Sequence, residues 1–320
     1  MATYKEIHGV QVQYRDSDAP AIEGDVWYNS TSGKLKMYAS LGSWATGGAL
    51  TTARASSGGA GTQTAALAFG GSTGSDVGIN EGYDGSSWTE LADLTTARQQ
   101  LAGSGTQTAA LAFGGSPALA INESWDNSSW TEVGDLNTGR RYLGGLGTQT
   151  ASLAVGGYAP SPGPMDENES WNGTAWTELA DLNTGRYGPG VVGTSTAAIA
   201  FAGNKGGSPA FTGEAETWDG SSWTEVADLN TIRAEIGGVG IQSAALAFGG
   251  TVPAVSALTE SWDGSSWTEV GDLATARKRL AVGGAGSATL ALAIGGNTGS
   301  VSALAEEWSF SASVETVAFD

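Results

Sequence analysis

An arginine returns six times along the 320-residue chain, at Arg54, Arg98, Arg140, Arg186, Arg233 and Arg277, in steps of 44, 42, 46, 47 and 44 residues. Each return brings the same company: a Gly pair, then a Glu, then two aromatics. A period in the forties with a Gly pair and spaced Trp is the signature of a β-propeller with one blade per repeat. A single blade cannot bury both of its faces, so the repeats must stack around an axis. The expected fold is therefore all-β: a propeller of six four-stranded blades over residues 44–320, preceded by a separate segment over residues 1–43.

The repeat running from Arg98 to Leu136 shows the expected blade. Strand a follows the Arg. Strand b is Thr108 to Phe113, ending at Gly114-Gly115. Strand c is INESW and strand d is SWTEV, joined by the turn Asp126-Asn127-Ser128, which other repeats write Asp-Gly-Ser. Such dipeptides supply the positive φ of a tight hairpin. Strand b alternates Leu111 and Phe113 with Ala110 and Ala112, so one face is large and the other small. Small faces suit inner strands, where blades converge. The diverging outer strands need bulk, and there the pairs Trp125/Trp130, Trp171/Trp176, Trp218/Trp223 and Trp262/Trp267 recur, with Tyr83/Trp88 in the first repeat. These aromatics are expected in the interfaces between blades, each burying about 150–250 Å².

Over residues 44 to 310 the pattern resembles the kelch repeat. The resemblance rests on the Gly pairs Gly70-Gly71, Gly114-Gly115, Gly156-Gly157, Gly249-Gly250 and Gly295-Gly296, on the paired aromatics, and on the Arg after an Asp-Leu turn. One repeat departs, with Ala202-Gly203 in place of the Gly pair. The resemblance implies a kelch-like fold and does not choose a function, because kelch propellers include enzymes, adaptors and structural proteins. The last repeat supplies strands a, b and c as far as Glu306-Glu307-Trp308 but no good d strand downstream. GSWATGGALTTAR, with Trp44 in the d-strand position, supplies it at the other end. The N-terminal strand is thus expected to close the last blade and remove an open sheet edge. The tail SASVETVAFD is a rival for that place.

Six glutamates also recur: Glu81, Glu123, Glu169, Glu216, Glu260 and Glu306. A charge present in every blade serves what every blade shares. The six Arg are therefore expected to brace turns or blade interfaces, with Glu or turn carbonyls as partners; a ring of Arg holding an anion is the alternative. A second acidic series (Glu90/Asp93, Glu132/Asp135, Glu178/Asp181, Glu225/Asp228 and Glu269/Asp272) reads as a solvated edge, with weak divalent-cation binding as the alternative. SWDGSSW looks somewhat like a sialidase Asp-box, one residue short between Asp and Trp; that motif is a turn and carries no catalysis.

No catalytic set is legible. The sole histidine, His8, lies outside the repeats, and there is no cysteine. Ser-His-Asp and Cys-His arrangements, disulfides and thiolate or histidine metal sites in the ring are excluded. Kelch-like galactose oxidases need histidine copper ligands and a Cys-linked Tyr, so that activity is excluded too. The Gly pairs end strands and face no helix, so they form no phosphate loop. Plentiful acids leave a carboxylate-pair glycosidase open, though Asp166 and Glu167 share one loop with no visible partner. The expectation is no enzyme, no cofactor and no metal. A net charge of −19 argues against nucleic acid and anionic membrane as partners. No apolar run reaches 18 residues, and the start MATYKEIHG shows no apolar core of signal-peptide length. If the protein acts outside a cell, it is expected to arrive by lysis or within a particle.

Function is expected where the repeats disagree. The b–c loops vary: Ser72–Asn80, Ser116–Asn122, Tyr158–Asn168, Asn204–Ala215, Thr251–Thr259 and Asn297–Ala305. So do the positions after each repeated Arg: Gln99, Gln100, Arg141, Tyr142, Tyr187, Glu235, Lys278 and Arg279. Strand alternation puts both sets on one face, the latter as a ligand-binding rim at the mouth of the central channel, on a rigid scaffold.

Gly24 to Tyr38, GDVWYNSTSGKLKMY, has the pattern of a small hairpin and resembles short hairpin segments of bacteriophage tail-fibre and other virion proteins. The resemblance implies a virion protein of tail-fibre or decoration type. Its N-terminal segment would attach to other virion proteins, and its b–c face would meet a host-surface glycan or protein, with oligomerisation possible. The alternatives are a bacterial kelch-like protein, extracellular or cytoplasmic, that binds a protein or polysaccharide outside any virion, and a carbohydrate-active enzyme.

Overall fold

The computed structural model describes residues 13–18, 25–283 and 287–317. His8 and Gly24 lie outside the described residues. The chain divides into two compact units, residues 44–308 and residues 1–43 with 309–320.

The larger unit is a β-propeller. In blade one, strand a is Gly58–Thr62, b is Ala65–Phe69, c is Asn80–Tyr83 and d is Trp88–Leu91, antiparallel throughout. Blades two to five repeat this order. Blade six takes a from Ala281–Gly283, b from Leu290–Ile294, c from the start of the strand Ala305–Thr316 and d from the end of the strand Lys34–Thr46. Trp44 stands 5.5 Å from Trp308, ring centre to ring centre, so the N-terminal strand, and not the tail, fills the outer place. Each a strand packs against the next, and the sixth against the first, which closes the ring. The closeness of these inner strands explains their glycines: a Cβ on Gly103 would stand 2.5 Å from the Gly59 carbonyl oxygen.

The core is divided into six apolar clusters, each shared by two neighbouring blades. The alternation of strand b dictates how they form. Leu67 and Phe69 of blade one meet Ala110, Ala112, Trp125 and Trp130 of blade two; Leu111 and Phe113 of blade two meet Ala154, Trp171 and Trp176 of blade three. A large face thus packs on a small face plus the Trp pair of the next blade, as Phe69 does edge-on against Trp130 at 4.9 Å. Each such Phe, fully buried, contributes about 1.5–3 kcal/mol of burial.

Two polar links recur at the interfaces, the first at all six and the second at four. The second residue of the Gly pair donates its N–H to the carbonyl of the next blade's repeated Arg: Gly71 to Arg98, and so round to Gly296 and Arg54, both at 2.9 Å. The glutamine of the a–b turn reaches the preceding blade. Gln107 donates to the Tyr83 carbonyl at 2.5 Å, and Gln63 donates to that of Trp308 at 2.7 Å, across the ring closure. Blades four and six have Ser195 and Ala288 in place of this glutamine.

In the smaller unit Val26–Asn29 pairs antiparallel with the start of Lys34–Thr46, in the expected hairpin, and Gln13–Arg15 lies parallel on its other side. Asp18 accepts from Trp27 Nε1 at 3.3 Å and from Asn29 Nδ2 at 2.5 Å, so the aromatic strand is held from both edges.

Candidate functional site

The repeated charges belong to the scaffold. Every one of the six Arg is fully buried and ion-paired to the Glu of its own blade: Arg54 to Glu81, Arg98 to Glu123, Arg140 to Glu169, Arg186 to Glu216, Arg233 to Glu260 and Arg277 to Glu306. The last two pairs are 2.8 Å apart. Each Glu also accepts a backbone N–H from the d–a turn, from Thr51, Thr95, Asn137, Asn183, Asn230 and Ala274, at 2.7–2.8 Å. Each Arg donates in addition to backbone carbonyls of its own blade, as Arg233 does to Gly249 at 3.1 Å and to Leu258 at 2.5 Å. Burial pulls the guanidinium pKa of Arg54, Arg186, Arg233 and Arg277 down from its usual value, against the attraction of the paired Glu. With every guanidinium engaged inside its blade, these arginines do not form an anion ring in the channel. The second acidic series divides. Asp93, Asp135, Asp181 and Asp272 each accept a backbone N–H of strand c, while the d-strand glutamates face solvent.

Two residues beyond each repeated Arg, the chain turns into the left-handed region. Ser56, Gln100, Tyr142, Gly188, Glu235 and Arg279 all have φ between 54° and 62°. Their backbones form a closed ring of hydrogen bonds around the channel mouth. Gln100 donates to Ser56, Tyr142 to Gln100, Gly188 to Tyr142, Glu235 to Gly188, Arg279 to Glu235 and Ser56 to Arg279, all at 2.8–3.0 Å. Five of these six residues are not glycine, although left-handed backbone costs them about 1–2 kcal/mol each; the circular hydrogen bonding holds them there. It also aims five side chains at the mouth. One residue earlier, strand a bridges the first residue of the b–c loop, as Arg141 does with Tyr158 and Tyr187 with Asn204. The variable loops and the mouth therefore share a face.

Around this mouth the side chains gather unevenly. Arg279 stands opposite Tyr142 in the ring order, yet its guanidinium carbon lies 5.5 Å from the Tyr142 ring centre, so the two meet across the axis. Glu235 holds Arg279 at 2.7 Å and Lys278 at 3.0 Å. Tyr187 stands 5.7 Å from Tyr142 and 5.4 Å from Tyr158. The Arg141 guanidinium lies 5.8 Å from the Tyr142 ring and 5.2 Å from that of Tyr158, both within cation–π reach. Among the described residues Arg141 forms no ion pair, and its Nε is buried without a hydrogen-bond partner. Burial raises the hydroxyl pKa of Tyr142 and Tyr187 above its usual value, so both phenols are neutral.

Six of the eight residues expected at the mouth thus converge: Arg141, Tyr142, Tyr187, Glu235, Lys278 and Arg279. Gln100 lines the mouth on the far side through the backbone ring. Gln99 turns outward to Asp76 at 2.8 Å. Tyr158 is an addition. The stretch Tyr158–Asn168, expected as a loop, is mostly a ladder, because strands b and c of blade three run on as Ala151–Ala159 and Gly163–Trp171 past a bulge after Val155. That extension carries Tyr158 to the cluster. Its position, first after the Gly pair, was the available signal. Among the described residues no three His, Cys, Asp or Glu side chains gather where they could hold a metal ion. The chemistry the cluster offers is recognition: aromatic faces, guanidinium forks and one carboxylate. No protein-family model and no curated protein matches the chain.

Proposed function

We propose that the chain is a non-enzymatic recognition module, a kelch-type propeller that binds a host-surface glycan or protein at this mouth and its b–c loops as a component of a phage particle, of tail-fibre or decoration type. One observation carries the binding site: tyrosines and cations from three different blades, with a carboxylate from a fourth, converge on the mouth of a ring whose buried Arg–Glu pairs repeat. The buried Arg–Glu pair is present in every blade, whereas the positions of Arg141, Tyr142, Tyr158 and Tyr187 change type from blade to blade, and rigid backbone beneath variable side chains is the usual construction of a binding site. The virion assignment is supported by the hairpin Val26–Met37 and its resemblance to virion segments; other virion proteins would be the partners of that unit.

Replacing Tyr187 with Ala tests the site. Tyr187 is half-buried and makes no side-chain hydrogen bond among the described residues. Its loss is expected to lower glycan or host-cell binding about tenfold or more while leaving the melting temperature near that of the parent, as for a central aromatic contact. Unchanged affinity would refute the site. Co-purification with phage particles, lost on deleting residues 1–43, tests the particle assignment; glycan hydrolysis abolished by a single carboxylate substitution would overturn the non-enzymatic reading.

A further inference from the structure

Resting on that reading of the mouth, we infer that its ligand is an acidic sugar, a pyranose bearing a carboxylate of uronate or sialate type, with Arg141 as the carboxylate's partner and the rings of Tyr142, Tyr158 and Tyr187 as its stacking surface.

Charge distribution is the first support. The chain carries 14 Lys and Arg. Six are the scaffold arginines, and Lys5, Arg15, Lys34 and Lys36 precede residue 44. The propeller has four others, Arg141, Lys205, Lys278 and Arg279. Lys205 is paired with Glu214 at 2.6 Å. The remaining three stand at the mouth, where Glu235 is the one carboxylate among the described residues paired to them. In a chain of net charge −19, the propeller's positive charge outside those pairs is thus concentrated on one spot, where three cations face one paired carboxylate. A neutral or cationic ligand gives no reason for that placement, whereas an anion must be offered local positive charge to approach an acidic surface at all.

Arg141 is the second support. Lys278 and Arg279 already share Glu235, but Arg141 has no carboxylate of its own and one buried guanidinium nitrogen lacks an acceptor. A half-buried guanidinium left without an acceptor is unfavourable. Its planar fork donates two parallel hydrogen bonds to a carboxylate. The flanking tyrosines supply apolar ring faces of the kind that cover one side of a pyranose, and few other ligands need both within one residue's reach.

An acidic peptide is the competing ligand, and the backbone disfavours it. Peptides gain much of their affinity by adding a strand to a free edge. At this mouth the N–H and C=O groups of all six ring residues are already consumed by the closed circuit, so an incoming peptide finds no ladder partner there.

The test uses the full chain and calorimetric titration with oligogalacturonate and sialyllactose, each beside its neutral counterpart (a galactose oligomer and lactose), and with a polyglutamate peptide. Expected is binding of an acidic sugar at least about tenfold tighter than its neutral partner, a preference of the size that a charge-assisted bidentate contact supplies. That preference should weaken as salt rises and be lost in Arg141→Gln at an unchanged melting temperature, with Arg141→Lys restoring part of it. Equal binding of acidic and neutral sugars, or a preference that survives Arg141→Gln, overturns the acidic-sugar inference; if Tyr187→Ala still removes that binding, the mouth itself stands. Binding of the peptide alone, or of no acidic sugar, also overturns the inference. Sugar binding that Tyr187→Ala leaves intact overturns the mouth assignment as well.

Discussion

Consider Glu260→Gln in blade five. The side chain keeps its shape and loses its charge. In the parent, Glu260 pairs with Arg233 at 2.8 Å and accepts from Asn230 N at 2.7 Å and from Asn230 Nδ2 at 3.0 Å. Arg233 is fully buried, and burial already depresses its guanidinium pKa against the pull of Glu260. Removing the carboxylate leaves a buried cation whose remaining acceptors are the carbonyls of Gly249 and Leu258. Breaking one side of a buried pair costs about 3–5 kcal/mol. At roughly 2–4 °C per kcal/mol for a chain of this size, the melting temperature falls by about 10 °C. The assay is thermal and urea unfolding of parent and variant at one pH, with Glu269→Gln, an exposed d-strand position in the same blade, as the control, expected within about 0.5 kcal/mol of the parent. A loss from Glu260→Gln no larger than that of the control would refute the claim that the pair holds the d–a turn to strand c. The double variant Arg233→Met/Glu260→Gln should recover part of the loss, because it removes the stranded charge.

Two further outcomes concern local backbone and pH. Ala202 holds φ at +61° where the other blades place the first glycine of their pair, so Ala202→Gly should raise stability by up to about 1 kcal/mol in urea unfolding. The reverse change, Gly114→Ala, should lower stability by more than that, since its Cβ would stand 2.7 Å from the Arg140 carbonyl oxygen. In the c–d turns, hydrogen bonds from Ser265 and Ser266 hold the Asp263 carboxyl at a pKa of about 2 instead of 3.8, and Asp84 and Asp219 behave alike. A depressed folded-state pKa means stability that is complete above the unfolded value near 4 and is lost as pH falls toward 2. Blade three makes the same turn with neutral Asn172, whose Oδ1 accepts from Thr174 and Ala175. Asp263→Asn should therefore keep the turn at pH 7 and shrink the drop in melting temperature between pH 5 and pH 2.5; an unchanged drop would contradict the assignment.

The propeller was legible from residue types because its demands repeat. Gly pairs, Trp pairs, alternating Leu/Phe and Ala, and a Glu in step with each Arg recur wherever the same interface must be built, so phase alone identifies them. Trp44 could be matched to the missing d strand for the same reason, and the structure puts it against Phe248 and Trp308. Gln63, Gln107, Gln149 and Gln242 were visible as a repeated turn residue, but their reach into the preceding blade was not, since nothing local says where an amide at a turn will point. The left-handed ring was hidden. Ser56, Gln100, Tyr142, Gly188, Glu235 and Arg279 share no side-chain property, and only Gly188 hints at positive φ.

What the order of residues decided here was the class of fold, the partition of charges into repeated and unique, and the face on which variation collects; these follow from periodicity, which a single chain displays without folding. What only the folded ring decided was proximity across the axis: that Arg279 reaches Tyr142 from the opposite blade, that Tyr158 joins through a lengthened hairpin, that Gln99 turns away, and that Arg141 has no counter-charge among the described residues. Those relations join residues from different blades. Their distances are set by the closure of backbone hydrogen bonds around six blades, a condition that no segment of the chain meets alone.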